Sequence, residues 1–414
     1  MEFTLNNSFV ILKLRNNGYF NTLVHCTLRN IHYFLLNLEN FTLKMKRFFF
    51  FIFILMRISF SDITICQIIK DNHLLSKVGE LKLPLSKQSS AFSYNLQIFS
   101  KSGENFLFVE QTFRNTIDIY NLNSKTYYKT IRLPKAIAPE QPIGFFVNNF
   151  DSIYVLLTKS NKFVLLNSSG VIMEETKPLT WNAEITPVIF SNHPVIKIDR
   201  NLLICSYFSL PNDLPKSPSC IIFNMNDKTI RYDYPVSLEY KKGWWGKTIY
   251  IPTLHQTYNR DKKLIVHSFP VDNYIYVYDK YNKSKKYFAG SQFIKKVYPV
   301  SKQVKPNITG SDVENHFARS GYYTTINYDK YQNIYYRYLV KPVKKGKDFT
   351  SKRDHSIIIL DKNFINIGEW EVPDKNDLFK SFIYRKGLYI LNTELYQQNQ
   401  DTLCFDIYHL RNSP

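Results

Sequence analysis

Ile143 to Asn167 reads IGFFVNNFDSIYVLLTKSNKFVLLN. Ile153-Tyr154-Val155-Leu156-Leu157 follows the turn residues Asn148, Asn149 and Asp151, and Phe163-Val164-Leu165-Leu166 follows Lys159-Ser160-Asn161-Lys162. Apolar runs rich in β-branched and aromatic residues, punctuated by short polar turns, predict a β-hairpin. The pattern recurs along the chain, and the recurrence decides the fold.

Units of strands begin near residues 92, 143, 187, 257, 322 and 379. The first holds Phe92–Phe99, Phe106–Val109, Ile117–Tyr120 and Tyr127–Leu133, with period-2 alternation in Thr116-Ile117-Asp118-Ile119-Tyr120. The second is the opening stretch, completed by Gly170–Met173. The third holds Val195–Ile198, Leu202–Phe208, Cys220–Asn224 and Thr229–Tyr234. The fourth holds Lys263–Phe269 and Tyr274–Asp279; the fifth Tyr322–Asn327, Ile334–Val340 and Ile357–Asp361; the sixth Phe379–Tyr384, Gly387–Leu391 and Thr402–Leu410. A short apolar run followed by Asn or Asp ends a strand in five of them, at Asn121, Asn167, Asn224, Asp279 and Asp361. Four-strand units at a period of roughly 40–50 residues predict an all-β six-bladed β-propeller. Lys77 to Leu85 is placed to supply the strand that closes the ring, and the propeller domain is set at 77–412. Two packed β-sandwiches are the structural alternative. Lys295–Ser320 reads as a polar connection, and helical periodicity is nearly absent.

Composition agrees with a packed β-fold: 44% hydrophobic and 16% aromatic residues, with only 13 glycines in 414. The formal charge is +20, and +15 once residues 1–61, with seven basic and two acidic residues, are set aside. The lysines are scattered through turns instead of gathered in an arm, so nucleic acid is not an expected partner. Met45-Lys46-Arg47 followed by FFFFIFILM (48–56) and Ser59-Phe60-Ser61 has the charge, length and small-x-small ending of a signal peptide. Residues 45–61 are therefore read as a leader, and 1–44 as an upstream extension to a start at Met45. Cys66 follows as a lipidation candidate, although Ile65 occupies the place of the small residue a lipid box needs. The expected destination is the periplasm or outer-membrane surface, with membrane attachment through an N-terminal lipid. Cys205, Cys220 and Cys404 remain in the fold, and Cys205 and Cys220 either pair in an oxidising compartment or serve as small buried hydrophobes.

The segments IGFFVNNFDSIYVLL, NRDKKLIVHSFPVDNYIYVYD and KGLYILN resemble the domain of unknown function 4221 family. The resemblance spans Phe92 to Leu410. It implies an exported six-bladed propeller of Bacteroides-type bacteria, commonly a lipoprotein, and brings no catalytic residues to carry over.

Reaction machinery is not evident. G-x-S-x-G, S-x-x-K, H-E-x-x-H, G-x-G-x-x-G and the P-loop are all missing, so neither a cofactor nor a metal is expected. Two surfaces stand out. Trp244 and Trp245 lie between Gly243 and Gly246; on a strand one ring points inward, while in a loop both could stack on a sugar ring. Arg337 lies in the middle of Tyr335-Tyr336-Arg337-Tyr338, where a charge either lines the channel as an anion site or pairs with an acid. The basic loop Lys341–Arg353 is a third candidate. The expected function is a monomeric, non-enzymatic binding or interaction scaffold of the cell envelope with a protein or glycan ligand. The alternative is a polysaccharide hydrolase or lyase, which needs two carboxylates, or an acid and a histidine, converging at the channel mouth.

Overall fold

The computed structural model describes residues 74–411, except 87–88, 90–92, 94, 112–113, 138–139, 141, 158, 181–184, 209–217, 247, 249, 303–306 and 345. The extension 1–44, the leader 45–61, Cys66 and most of the loop 209–219 lie outside the described residues. Every described element belongs to one unit, Ile68–Pro414.

Hairpins stack in chain order into six antiparallel sheets. The chain enters at β1 (Leu75–Pro84). Blade I is β2 (Leu96–Lys101), β3 (Glu104–Gln111), β4 (Thr116–Asn121) and β5 (Thr126–Arg132). Blade II is β6 (Pro142–Asn149), β7 (Ser152–Leu157), β8 (Lys162–Leu166) and β9 (Ile172–Glu175). In blade III, β10 (Ile185–Val188) and β11 (Ile196–Ile198) both pair with β12 (Asn201–Phe208), followed by β13 (Pro218–Asn224) and β14 (Ile230–Pro235). Blade IV is β15 (His255–Asn259), β16 (Leu264–Ser268), β17 (Tyr274–Tyr278) and β18 (Ser284–Phe288). Blade V is β19 (Tyr322–Asp329), β20 (Ile334–Val340), β21 (His355–Leu360) and β22 (Asn366–Glu371). Blade VI is β23 (Asn376–Tyr384), β24 (Gly387–Asn392) and β25 (Thr402–Leu410), with β1 as its outer strand. The pairing runs from Leu75 opposite Leu410 to Pro84 opposite Thr402, so the first strand closes the ring onto the last. Six separate ladders, each built from its own stretch of chain, replace the two packed sheets of the β-sandwich alternative.

The Asn and Asp residues picked out in sequence are the turns between third and fourth strands. Asn121 Oδ1 accepts from the backbone N of Asn123 and Ser124, and Asn167 Oδ1 from Ser169 and Val171. Asn224 accepts from Asn226, Asp279 from Tyr281 and Lys283, and Asp361 from Asn363 and Ile365. Each is an Asx turn, in which a short side chain replaces a missing backbone acceptor. Blade VI has no such turn because its fourth strand comes from the other end of the domain. In blade II the turn ends at Gly170, with φ +78°, where a Cβ would lie 2.2 Å from the carbonyl oxygen of Arg132 in blade I.

The apolar core is divided among the blade interfaces, because both faces of each inner ladder are covered. Phe106 and Phe108 of β3 face blade II with Ile153, Val155 and Leu157, while Leu107 and Val109 face blade VI. Tyr154 and Leu156 of β7 meet Leu202 and Ile204 of blade III. Tyr336 and Tyr338 meet Leu388 and Ile390 of blade VI, and Tyr335 and Leu339 point to blade IV. Truncating one such buried aliphatic side chain to Ala costs about 2–5 kcal/mol.

One connection departs from the sequence expectation. Within Lys295–Ser320, Gly310–Ser320 forms a helix, α1, started by a capping box between Thr309 and Asp312. Val313, Phe317 and Ala318 fall on its buried face, and Phe317 stacks on Trp245 at 6.5 Å. A second, shorter helix, α2 (Thr393–Gln398), joins β24 to β25. Cys205 and Cys220 are direct partners across β12 and β13, buried with free thiols.

Candidate ligand site at the axis

The first strands of the blades adjoin one another: β2 lies against β6 and β23, and β19 against β15 and β23. They form the inner wall. Inner strands that face each other across an axis cannot fill it with large apolar groups, and they carry polar side chains bonded to the next blade. Gln97 of β2 donates from Nε2 to Val147 O at 3.1 Å and accepts at Oε1 from Val147 N at 2.8 Å. Gln256 of β15 donates to Pro194 O and Leu203 O of blade III.

All inner strands run toward the same end, where their hairpin turns surround a cavity of about 570 Å³. Every blade contributes to the lining. Phe99 and Ser100 come from β2, Val147 and Asn148 from β6, Lys197 from β11 and Ile383 from β23. Tyr258 is the penultimate residue of β15, with Arg260 and Asp261 in the turn that follows; Tyr328 is the penultimate residue of β19, with Lys330 and Tyr331 in the turn that follows. The turns are set by local bonds: Asn259 Oδ1 accepts from Lys262 N, and Asp329 Oδ1 from Tyr331 N and Gln332 N.

Charge is unbalanced at this rim. Three cations meet one carboxylate, Asp261. Lys197 Nζ is 2.6 Å from the Asn148 side-chain oxygen, a neutral partner. Lys330 Nζ sits 5.0 Å from the Tyr331 ring centroid. Neither Arg260 nor Lys330 forms an ion pair among the described residues. The Tyr328 hydroxyl is 3.1 Å from Asn333 Oδ1 and 3.4 Å from Asp261 Oδ2. Burial and the nearby Asp261 hold Tyr328 above the usual tyrosine range, so it stays a neutral donor.

The residues singled out in sequence lie elsewhere. Arg337 is fully buried between blades IV and V. Among the described residues it pairs with no acid, and it lines neither the axial cavity nor the cavity beside the basic loop. Its Nε donates to Ser268 Oγ at 2.9 Å, Nη1 to Ala289 O at 2.9 Å, and Nη2 to Phe269 O at 3.2 Å and Asp272 O at 2.6 Å. The guanidinium lies 3.8 Å from the centroid of the Tyr323 ring. Burial pushes its pKa down to about 10, which leaves it charged at neutral pH. Trp245 is buried, with its Nε1 donating to Tyr240 O at 2.9 Å, while Trp244 is half-buried and bridges to Ser301. Trp244, Trp245 and Arg337 therefore share no exposed face. In the basic loop, Lys341 pairs with Glu371 at 2.7 Å and Arg353 donates to Phe317 O and Lys341 O. That loop borders a separate cavity of about 460 Å³ with His355, Asp377 and Phe379. Burial holds His355 at about 4.

His255 and His267 are packed against other rings and are not among the residues lining the axial cavity. His255 stacks on His193 at 4.3 Å, and His267 lies between the rings of Tyr234 and Tyr278. Burial pushes them down to about 4 and about 3. The axial lining thus contains neither a carboxylate pair nor an acid with a histidine. Among the described residues no group of three or more His, Cys, Asp or Glu is placed to hold a metal ion, and no helix is long and apolar enough to cross a membrane.

The rim residues are hard to find in sequence, because β15 lacks an apolar run and β10 and β11 form an interrupted inner strand. The usable signal is positional: the last residues of each blade's first strand and the turn after it.

Residues 69–371 match the family described as Domain of unknown function (DUF4221). The chain belongs to this family. A crystallographic DUF4221 member from Bacteroides vulgatus ATCC 8482 superposes with a TM-score of 0.68 at 20% identity, covering 83% of this chain and 100% of that one. A Bacteroides fragilis NCTC 9343 protein proposed to be exported superposes with a TM-score of 0.51 at 13% identity, covering 82% and 96%. At these identities the likeness establishes the propeller fold alone. No curated protein matches the chain.

Proposed function

We propose that this DUF4221 chain is an exported, non-enzymatic binding propeller of the cell envelope whose ligand occupies the axial cavity. One observation carries the reading: all six blades converge on a single rim of cations, tyrosines and amides with one carboxylate. Its volume falls in the roughly 300–1,000 Å³ range of small-ligand pockets. Loops and rims on a rigid scaffold are where propellers place recognition, because the strands are consumed by packing. Export rests on the leader pattern at Met45–Ser61 and agrees with the description of the B. fragilis neighbour. Lipid attachment at Cys66 belongs to the same proposal and is read from the mass of the N-terminal peptide of membrane-extracted protein.

The binding reading is tested with an envelope-glycan array and a plug. Ser100 is exposed at the rim, and Ser100→Trp should fill the mouth. Array binding by the mature chain should fall at least about tenfold in that variant, a change of about 1.4 kcal/mol, with an unchanged melting temperature. Release of new reducing or unsaturated ends from a polysaccharide by the wild type would instead favour the hydrolase or lyase.

A further inference from the structure

Resting on the axial-site reading, we infer that the ligand is an acidic saccharide, one whose ring packs on the rim aromatics and whose carboxylate or phosphate meets Arg260 and Lys330. The charge of the lining points to an anionic ligand. A site built for neutral sugars presents amides and carboxylates to hydroxyls and balances its own charges. Here Lys197, Arg260 and Lys330 face one carboxylate, and that carboxylate is within reach of the Tyr328 hydroxyl. The excess positive charge gathers at one mouth, where its field attracts an anion and weakens as salt rises.

Arg260 and Lys330 differ from the basic residues beside them in being unspent. Lys197 is committed to the Asn148 side-chain oxygen, and Lys262 Nζ to Lys362 O. Arg260 is exposed and, among the described residues, bonded to no acid, and its planar fork matches a carboxylate or phosphate bidentately. Lys330 is held beside the Tyr331 ring, which keeps the ammonium at the mouth without neutralising it. Tyr331 is 42% exposed at the rim and meets Tyr384 in a T-shaped pair, so part of its ring surface remains accessible to a ligand. A sugar ring offers C–H groups to that face and hydroxyls to Asn148 and Ser100.

The test is calorimetric titration of the mature chain with four probes: digalacturonic acid, mannose 6-phosphate, neutral galactobiose and AMP. One of the two acidic sugars should bind at least about tenfold more tightly than galactobiose, and that gap should shrink steeply as salt rises. The first two probes separate a carboxylate from a phosphate source. The double variant Arg260→Gln/Lys330→Gln should abolish the preference for the acidic sugar. If galactobiose binds as tightly as either acidic sugar and Tyr331→Ala still weakens it, the acidic assignment falls and the axial site stands. If neither Tyr331→Ala, Ser100→Trp nor the double variant alters binding of any probe, the axial-site reading falls as well. Tighter binding of AMP than of both acidic sugars overturns the saccharide class, as does undetectable binding of both acidic sugars at about 10 mM.

Discussion

Two arginines show how differently one side chain is used in this protein. Arg337 lies in the second strand of blade V, fully buried, with its guanidinium donating to Ser268 and three backbone carbonyls of blade IV. Arg260 lies in the turn after the first strand of blade IV, exposed at the rim of the axial cavity. In sequence Arg337 is the conspicuous one, a charge in the middle of an aromatic strand. In space it is a clamp between two blades. A buried charge survives only where hydrogen bonds replace its hydration, so a mid-strand arginine that is satisfied has nothing left for a ligand. A turn arginine stays hydrated, and its donors remain available. On the proposed reading, recognition belongs to the turns and stability to the strands.

The sharpest way to break this contrast is Arg337→Met. The substitution strands the carbonyls of Ala289, Phe269 and Asp272 inside the protein. It should cost about 3 kcal/mol or more, since each buried acceptor left unsatisfied costs about 1–3 kcal/mol, measured by chemical denaturation. The charge position alone would suggest a modest drop and a loss of binding. A loss under about 1 kcal/mol would remove the clamp from the account.

Trp245→Ala sharpens the same division between core and surface. It removes the ring that stacks on Phe317 and touches Tyr240, and should cost about 3 kcal/mol or more. Trp244→Ala, at a half-buried neighbour, should cost about 1 kcal/mol. Equal effects would mean that the two rings are not divided as described.

Acid should act on the packed regions before the rim. His255 and His267 are held neutral, with pKa values near 4 and 3 against an unfolded value of about 6.5. The unfolded chain therefore takes up protons first, and stability is lost as pH falls below about 6.5 toward those folded values. By pH 5 the loss is about 2 kcal/mol per histidine. Glu110 works in the opposite direction. Burial raises its carboxyl to about 7, so it contributes stability as pH falls from there toward its unfolded value. Thermal melts from pH 7 to 5 should show a net fall, reduced by His267→Phe and deepened by Glu110→Gln. A flat profile in all three proteins would contradict the burial of these groups.

The smallest effect on stability belongs to Arg260→Gln, expected within about 0.5 kcal/mol of wild type. Its consequence should appear in ligand binding alone. A stability loss comparable to that of Arg337→Met would erase the comparison.

Much of the fold is legible in the sequence because its signals are short-range. The hairpins of blades I and II, and the second and third strands of every blade, carry the apolar runs that a sandwiched ladder requires. The elements that escape such a reading share a physical cause. β15 is His-Gln-Thr-Tyr-Asn, with four of five residues buried although polar, because it lines the axis and bonds to neighbouring blades. β18 is Ser-Lys-Lys-Tyr-Phe, an outer strand with little to bury. α1 buries only Val313, Phe317 and Ala318 among its eleven residues, too sparse a stripe to read against a polar background.

The division between sequence and tertiary structure follows the range of the interactions. The five Asx turns close over two to four residues, so Asn121, Asn167, Asn224, Asp279 and Asp361 determined them locally. The sixth blade lacks that turn because Leu75–Pro84 pairs with a strand more than 300 positions later, a choice only ring closure makes. Arg337 finds its partners 48 to 69 positions away, and the rim draws residues from Gln97 to Ile383. Periodicity specifies which residues can form a blade. Which polar side chains are spent between blades, and which face the axis, is decided when all six blades pack around one another.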